Sequence, residues 1–165
     1  LCLLYMDGRS CASDINKISD KNKLLNEWII AAKLEGKKLK YQHNGDTNKL
    51  KKALGYSYAD YGDLIKGTSI WGNTNTENVE TNLQNLFKTI FQNHIKENTK
   101  TSGSNKDGND LKLLREAWWN TNKKYIWGAL HYGATEQINR PVFEQPNTDY
   151  IPQFLRFAQE WIEHF

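Results

Sequence analysis

The fold class this sequence predicts is an all-α bundle of about five helices, and three observations carry it. Apolar residues recur at spacings of three and four in five separate stretches, and no stretch of useful length alternates with period two. The large aromatics, six Trp, eight Tyr and six Phe, sit on those helical frames between soft polar loops. Aromatics at 12% offset an apolar share of only 38% and a mean hydropathy of -0.77, values that alone would suit a disordered chain. A length of 165 residues is expected to give one domain, residues 1–165. It divides into an irregular lead-in and first helix over about 1–45 and a bundle core over about 46–165, with a flexible loop at 99–110.

Taken in order, Leu1 to Ser13 reads as a lead-in with a turn at Asp7-Gly8. Ser13 or Ser19 is the expected cap of a first helix through Leu24, Leu25, Trp28, Ile29 and Ala32, reaching Leu39. Asn44-Gly45-Asp46 breaks the chain, and a second helix from about Thr47 carries Leu50, Ala53, Leu54, Tyr58, Tyr61, Leu64 and Ile65 before Gly67 stops it. The polar stretch Gly72 to Thr76 leads to the cleanest amphipathic pattern, Val79, Leu83, Leu86, Phe87, Ile90, Phe91 and Ile95. The run Thr99 to Asp110, rich in Gly, Ser, Asn and Lys, is the expected mobile loop. A fourth helix from Asn109 or Asp110 carries Leu111, Leu114, Trp118, Tyr125, Ile126 and Ala129, with Gly133 as its expected terminator. Trp127 falls about 180° from Trp118 and about 80° from Trp119 on that helix, as on a central helix packed on several sides. After a loop with Pro141 and Pro146, Ile151-Pro152 opens a last helix whose apolar residues are Phe154, Leu155, Phe157, Ala158, Trp161 and Phe165.

The chemistry-bearing residues are few. Asp60 and Asp63 stand at i and i+3 on one helical turn, a spacing that suits paired acids or a pair of salt-bridge acceptors. With no partner base and no substrate loop, the second reading is preferred, and Arg115, beside Trp118-Trp119, is the expected cation. That ion pair would be a fold determinant. His43, His94, His131 and His164 are scattered, without metal-ligand spacing, and each reads as a surface or helix-end histidine. No nucleophile elbow and no phosphate-cradling loop occurs, so no enzyme, metal or cofactor is expected.

Net charge is only +3, but the balance is local. Between Lys33 and Lys52 seven lysines face only Glu35 and Asp46. Lys37, Lys38 and Lys40 close one helix, and Lys49, Lys51 and Lys52 open the next across a short turn, so the two sets can form one ridge for a polyanion. Lys123 and Lys124 make a smaller second cluster. The competing reading is that Lys is simply the preferred surface residue here. Cys2 and Cys11 either close a small loop or were each bridged to another part of a parent protein. The opening run Leu1 to Met6 is too short for a membrane span, so no membrane contact is expected within this segment.

The stretches Tyr58-Ala59-Asp60-Tyr61-Gly62-Asp63-Leu64-Ile65-Lys66-Gly67 and Trp118-Trp119-Asn120, with Leu1-Cys2 before them and Glu160-Trp161 after, resemble the Duffy-binding-like domains of the variant erythrocyte membrane proteins of the falciparum malaria parasite. The wording from Asp60 to Trp71 looks most like the second such domain of the placental, chondroitin-sulfate-binding variant. Cysteines of relatives are replaced near Trp28 or Ile29, Lys51 and Tyr132, and the first two would form a bridge there. The chain also stops at Phe165, about where relatives continue, which suits a natural fragment of a divergent member or an engineered, minimised domain.

The resemblance implies a helical, Cys-rich adhesion module on the outer face of the infected erythrocyte, part of a larger membrane-anchored and antigenically variable virulence protein. Its implied partners are a host cell-surface receptor, either a sulfated glycosaminoglycan such as chondroitin sulfate A or a protein, and antibodies. Nucleic acid is not an expected partner. The alternative from another class is a scaffold or antigen-presenting domain with no ligand of its own.

Overall fold

The structure is a computed structural model that describes residues 20–69, 74–92, 107–136, 143–147 and 151–163, with backbone alone at 74–78, 107–109 and 159–163. The described residues form five helices and no strand: α1 (Lys21–Gln42), α2 (Thr47–Lys66), α3 (Thr74–Ile90), α4 (Asp107–Thr135) and α5 (Gln153–Glu163). The expected all-α class is therefore the observed one.

Boundaries differ from expectation where local hydrogen bonding decides them. The cap of α1 is Asp20, whose Oδ1 accepts from the Asn22 and Lys23 amides, each at 2.9 Å. The expected caps Ser13 and Ser19 lie outside the described residues. The helix runs past Leu39 to Gln42, and the His43 amide still bonds the Leu39 carbonyl at 3.0 Å. In α2, Asp46 caps through the Lys49 amide at 2.9 Å, and Gly67 ends the helix in the left-handed region at φ 76°. α3 takes in Thr74 to Thr76, which the sequence reads as connector, and α4 opens at Asp107, inside the expected loop. Residues 99–106 and Ile95 lie outside the described residues.

α4 is central and meets α1, α2 and α3. Trp28 packs edge-on to Tyr61 at 5.6 Å and Glu35 meets Ser57, so α1 and α2 run antiparallel. Arg115 meets the carbonyls of Leu64 and Ile65 while Trp119 meets Tyr58, so α2 and α4 are antiparallel too. α1 and α4 are consequently parallel, and their backbones touch. A Cβ on Gly36 would lie 1.9 Å from the Leu130 carbonyl oxygen, and one on Gly133 would lie 2.0 Å from that of Lys33. One turn further on, Lys40 reaches Glu136 at 3.9 Å. Gly133 is therefore a close-approach residue and not the terminator: α4 continues to Thr135 and ends at Glu136, φ 58°.

The expected apolar face of α5 is also corrected. Phe154 and Leu155 are exposed, at 67% and 49%, while Gln153 and Arg156 are buried at 3% and 2%. The helix turns its polar edge inward because two carboxylates of α2 wait there. Phe157 and Ala158 are half-buried, and the side chains of Trp161 and Phe165 lie outside the described residues.

Candidate functional site

The C-terminal end of α1 and the N-terminal end of α2 meet across the turn His43 to Asp46, held by the Asp46 amide bonding the His43 carbonyl at 3.0 Å and by Gly45 at φ 90°. This turn brings Lys37, Lys38 and Lys40 to the same end of the bundle as Lys49, Lys51 and Lys52. Lys37 lies nine residues after buried Trp28, about 180° around the helix, and points away from the core. Its neighbours on that outer face, Ile30, Leu34 and Tyr41, are 43%, 47% and 70% exposed. Lys51 shares its angular position on α2 with buried Tyr58, seven residues on, yet is exposed, because α2 begins beyond the packed layers. Lys40 is paired with Glu136, and Lys49 lies 3.8 Å from its own cap Asp46. Lys37, Lys38, Lys51 and Lys52 complete the exposed cationic surface.

Lys123 and Lys124 do not join it. They precede Gly133, the level of the α1 crossing, by nine or ten residues, about 14 Å down the α4 axis. Lys124 sits instead over the ring of half-exposed Tyr125 at 4.9 Å.

The other end of α2 is a closed network. Asp60 and Asp63 do face a buried cation, but it is Arg156 of α5 and not Arg115. Arg156 Nη2 reaches Asp60 Oδ1 at 3.1 Å and also Asp63 Oδ2, while its Nη1 donates to the Ile151 carbonyl at 2.6 Å. Gln153 Nε2 donates to Asp60 at 3.4 Å and Thr68 Oγ1 to Asp63 at 2.8 Å. Burial, reinforced by the Asp63 charge, raises the Asp60 carboxyl above its ordinary range despite the pull of Arg156.

Arg115 takes a different job because it lies level with the end of α2. Its Nε and Nη2 donate to the carbonyls of Ile65 (2.6 Å) and Leu64 (2.8 Å), and its fork grips Glu80 of α3 at 2.6 and 2.8 Å. It satisfies orphan carbonyls and ties three helices with one planar group. Its guanidinium stands over Phe87, 5.7 Å away, and not over a Trp. Glu80 therefore supplies the acid for which the sequence reading chose Asp60 or Asp63.

Trp118, Trp119 and Trp127 are all buried, each facing a different neighbour. Trp118 meets Phe87 edge-on at 5.8 Å, Trp119 meets Tyr58 at 5.2 Å, and Trp127 meets Tyr58 from another side at 5.4 Å. Gly62 lets Trp119 approach, since a Cβ there would lie 3.0 Å from the indole. The side chain of Trp161, and Cys2 and Cys11 entirely, lie outside the described residues.

Two residues carry roles that the sequence reading did not give them. Arg156 is the one basic residue of α5, and only the buried acids opposite reveal its role. His131 is 3% exposed, not a surface histidine. Its Nε2 accepts the Phe143 amide at 3.3 Å and its Nδ1 faces Thr135 Oγ1 at 3.3 Å, and burial lowers its pKa.

Comparison with known proteins places this geometry. The sequence pattern of the Duffy binding domain matches residues 2–156. The chain is 30% identical over 149 residues to the Duffy receptor beta form of Plasmodium knowlesi, covering 88% of this chain and 11% of that protein. It is 26% identical over 151 residues to the Duffy receptor of Plasmodium vivax, covering 88% of this chain and 12% of that one. Among solved structures, the NTS-DBL1 alpha-1 domain of the Plasmodium falciparum membrane protein 1 of the varO strain superposes with a TM-score of 0.73 at 28% identity, covering 91% of this chain and 39% of that one. An ICAM-1-binding DBLβ domain of the same protein class gives a TM-score of 0.70 at 29% identity, covering 86% of this chain and 36% of that one. The chain thus spans about a tenth of the curated relatives.

Proposed function

The chain belongs to the Duffy binding domain family, and from that premise we propose that it is a host-receptor-binding adhesion module of a malaria-parasite surface protein, presented outside the infected erythrocyte. Relatives named Duffy receptor share its sequence, an ICAM-1-binding domain shares its fold, and together they lend the class of function. One observation points to the contact surface: Lys37, Lys38, Lys51 and Lys52 stand exposed where α1 ends and α2 begins, whereas the family-diagnostic run Tyr58 to Gly67 is consumed by packing and internal hydrogen bonds. A surface of that kind suits an anionic receptor, with chondroitin sulfate A as the ligand that the sequence wording favours.

The test is retention on immobilised chondroitin sulfate in rising salt. The chain should elute earlier as salt rises, because exposed ion pairs are screened within about 8 Å at physiological ionic strength. A Lys37→Glu/Lys38→Glu/Lys51→Glu/Lys52→Glu variant should flow through unretained while keeping its helical content. Unchanged retention of that variant moves the contact elsewhere. No retention of the parent chain at low salt sinks the glycan reading and favours a scaffold.

A further inference from the structure

Asn44-Gly45 is the one Asn-Gly step in the sequence, and it sits in the turn between α1 and α2 with both residues exposed. The Asp46 amide bonds the His43 carbonyl at 3.0 Å, which makes Asn44 and Gly45 the two central residues of the turn. Gly45 stands at φ 90°, and a Cβ there would meet nothing within 4 Å. Among the described residues neither the Asn44 carboxamide nor the Gly45 amide makes a hydrogen bond. Asn48, four residues on and equally exposed, shows the contrast. The amide that follows it, that of Lys49, is held by Asp46 Oδ1 at 2.9 Å.

An unbonded amide after asparagine is a nucleophile in waiting. Once it loses its proton to solvent, the Gly45 nitrogen can close a five-membered ring on Asn44 Cγ. A bond forms between them, the bond from Cγ to the side-chain nitrogen breaks, and that nitrogen leaves as ammonia, taking up a proton. Water then adds to one of the two carbonyl carbons of the cyclic imide and opens it. Breaking the new bond leaves aspartate, and breaking the original peptide bond leaves isoaspartate. A side chain on the second residue would crowd the approach, and glycine has none. The helix ends that face the turn carry opposite partial charges, so the lysines on either side set the sign of the local potential. A positive potential favours both the amide anion and the oxyanion of ring closure.

We infer that Asn44 is a site of spontaneous deamidation and that the change is a one-way switch on the lysine-bearing end of the bundle. The modification stands on the turn alone. Its effect on a ligand rests on the adhesion reading above. Aspartate places a negative charge between the lysine set that closes α1 and the set that opens α2. Isoaspartate brings the same charge and also adds a methylene to the main chain, inside the bonded turn that sets the two groups side by side. The frame is spared, because the nearest fully buried residues, Leu39 and Leu54, lie outside the turn.

The experiment ages the folded chain at mildly alkaline pH and maps its peptides by mass spectrometry, with isoaspartate counted by enzymatic methylation. Asn44 should turn acidic before Asn48, at a rate comparable to that of a synthetic peptide spanning Lys40 to Lys49. Asn44→Gln, whose ring closure would need one more atom, should keep its amide over the same time. An Asn44 that stays amide while the peptide converts, or acid that appears first at Asn48, overturns the site. Fresh and aged chains are then run on immobilised chondroitin sulfate in rising salt. The aged chain should elute at lower salt than the fresh one, no later than Asn44→Asp, and ageing should not move Asn44→Gln. Co-elution of fresh and aged chains despite acid at Asn44 overturns the switch and leaves the modification standing. A fresh chain that is not retained at low salt sinks the glycan reading and the switch with it, while the peptide map still decides the modification.

Discussion

From Tyr58 to Thr68, α2 and its cap commit almost every polar group to a partner, whereas from Thr47 to Lys52 the same helix exposes every side chain but that of Leu50. In the first region Tyr58 wedges between Trp119 and Trp127 and accepts Gln145 on its hydroxyl at 2.8 Å. Asp60 and Asp63 share Arg156, and the last carbonyls end on Arg115. In the second, Asp46 holds the helix start through the Lys49 amide, and Leu50 rests half-buried against the core. The difference separates two duties along a single helix. Residues that define the family build the frame, and the exposed cations Lys37, Lys38, Lys51 and Lys52 stand at the end where packing is thinnest. A substitution should therefore cost stability at one end and binding at the other.

The largest expected effect breaks the frame. Arg156→Met keeps the bulk of the side chain but strands Asp60 and Asp63 in the core. Removing one partner of a buried pair typically costs about 3–5 kcal/mol, and urea unfolding should show a loss of that size. Lys51→Glu at the far end should change stability by about 0.5 kcal/mol or less. The two acids are not equal. Because burial already disfavours the charge on Asp60, and both its donors share the one oxygen that an amide keeps, Asp60→Asn should cost less than Asp63→Asn, which sets an amide nitrogen against either Arg156 or Thr68. Equal, small losses for Arg156→Met and Lys51→Glu would abolish the contrast.

Two glycines sharpen it further. Gly→Ala inside a helix ordinarily gains up to about 1 kcal/mol, since alanine loses less backbone freedom on folding. At Gly55, in the early part of α2, nothing lies within 4 Å of the added Cβ, and Gly55→Ala should stabilise by that rule. At Gly36 the methyl meets the Leu130 carbonyl oxygen at 1.9 Å, so α1 must lift off α4 and Gly36→Ala should cost about 1–3 kcal/mol. The same displacement shifts Lys37, Lys38 and Lys40 against Lys49, Lys51 and Lys52, so glycan retention should fall with stability. Paired melting curves decide the sign at each site, and a stabilised Gly36→Ala would mean that the helices do not touch there.

These cases show what the sequence held and what it did not. The helices were legible because Leu24, Trp28, Leu39 and Val79, Leu83, Phe87 repeat at the period of one buried face. The turn at Asn44 to Asp46 was legible too, and with it the closeness of the two lysine sets. The ion-pair partners were not: Asp60, Asp63 and Arg115 are all present in the sequence, but which cation faces which acid depends on how far α4 slides along α2. That slide puts Arg115 at the last carbonyls and leaves the acids to α5. Gly133 misled for a related reason, because a helix stop and a helix contact both call for glycine. In α5, Phe154 and Leu155 follow the period of a buried face, but the buried acids opposite claimed Arg156 and turned that face outward.

The smallest effect is acid sensitivity, and it also divides by region. His131, in the last turns of α4, has its pKa lowered by burial, so near pH 6 the unfolded chain takes up a proton that the folded chain refuses. Stability should fall as pH drops below the ordinary value of 6.5, until the folded ring is protonated too. The charged ring would also lose the lone pair that accepts the Phe143 amide, loosening the segment whose Gln145 reaches Tyr58. At the other end the signs differ. Asp60, raised above its usual 3.8, is protonated more readily folded than unfolded, so its contribution improves as acid is added through its folded pKa. Glu80, held below its usual 4.5, acts the other way, and its stabilisation is lost only as pH falls beneath that value. Between pH 6.5 and 5.5 His131 should lower stability, and urea titrations at both values should show a loss that His131→Gln abolishes. An identical loss in that variant would take the acid response away from His131 and with it the link from α4 to Tyr58.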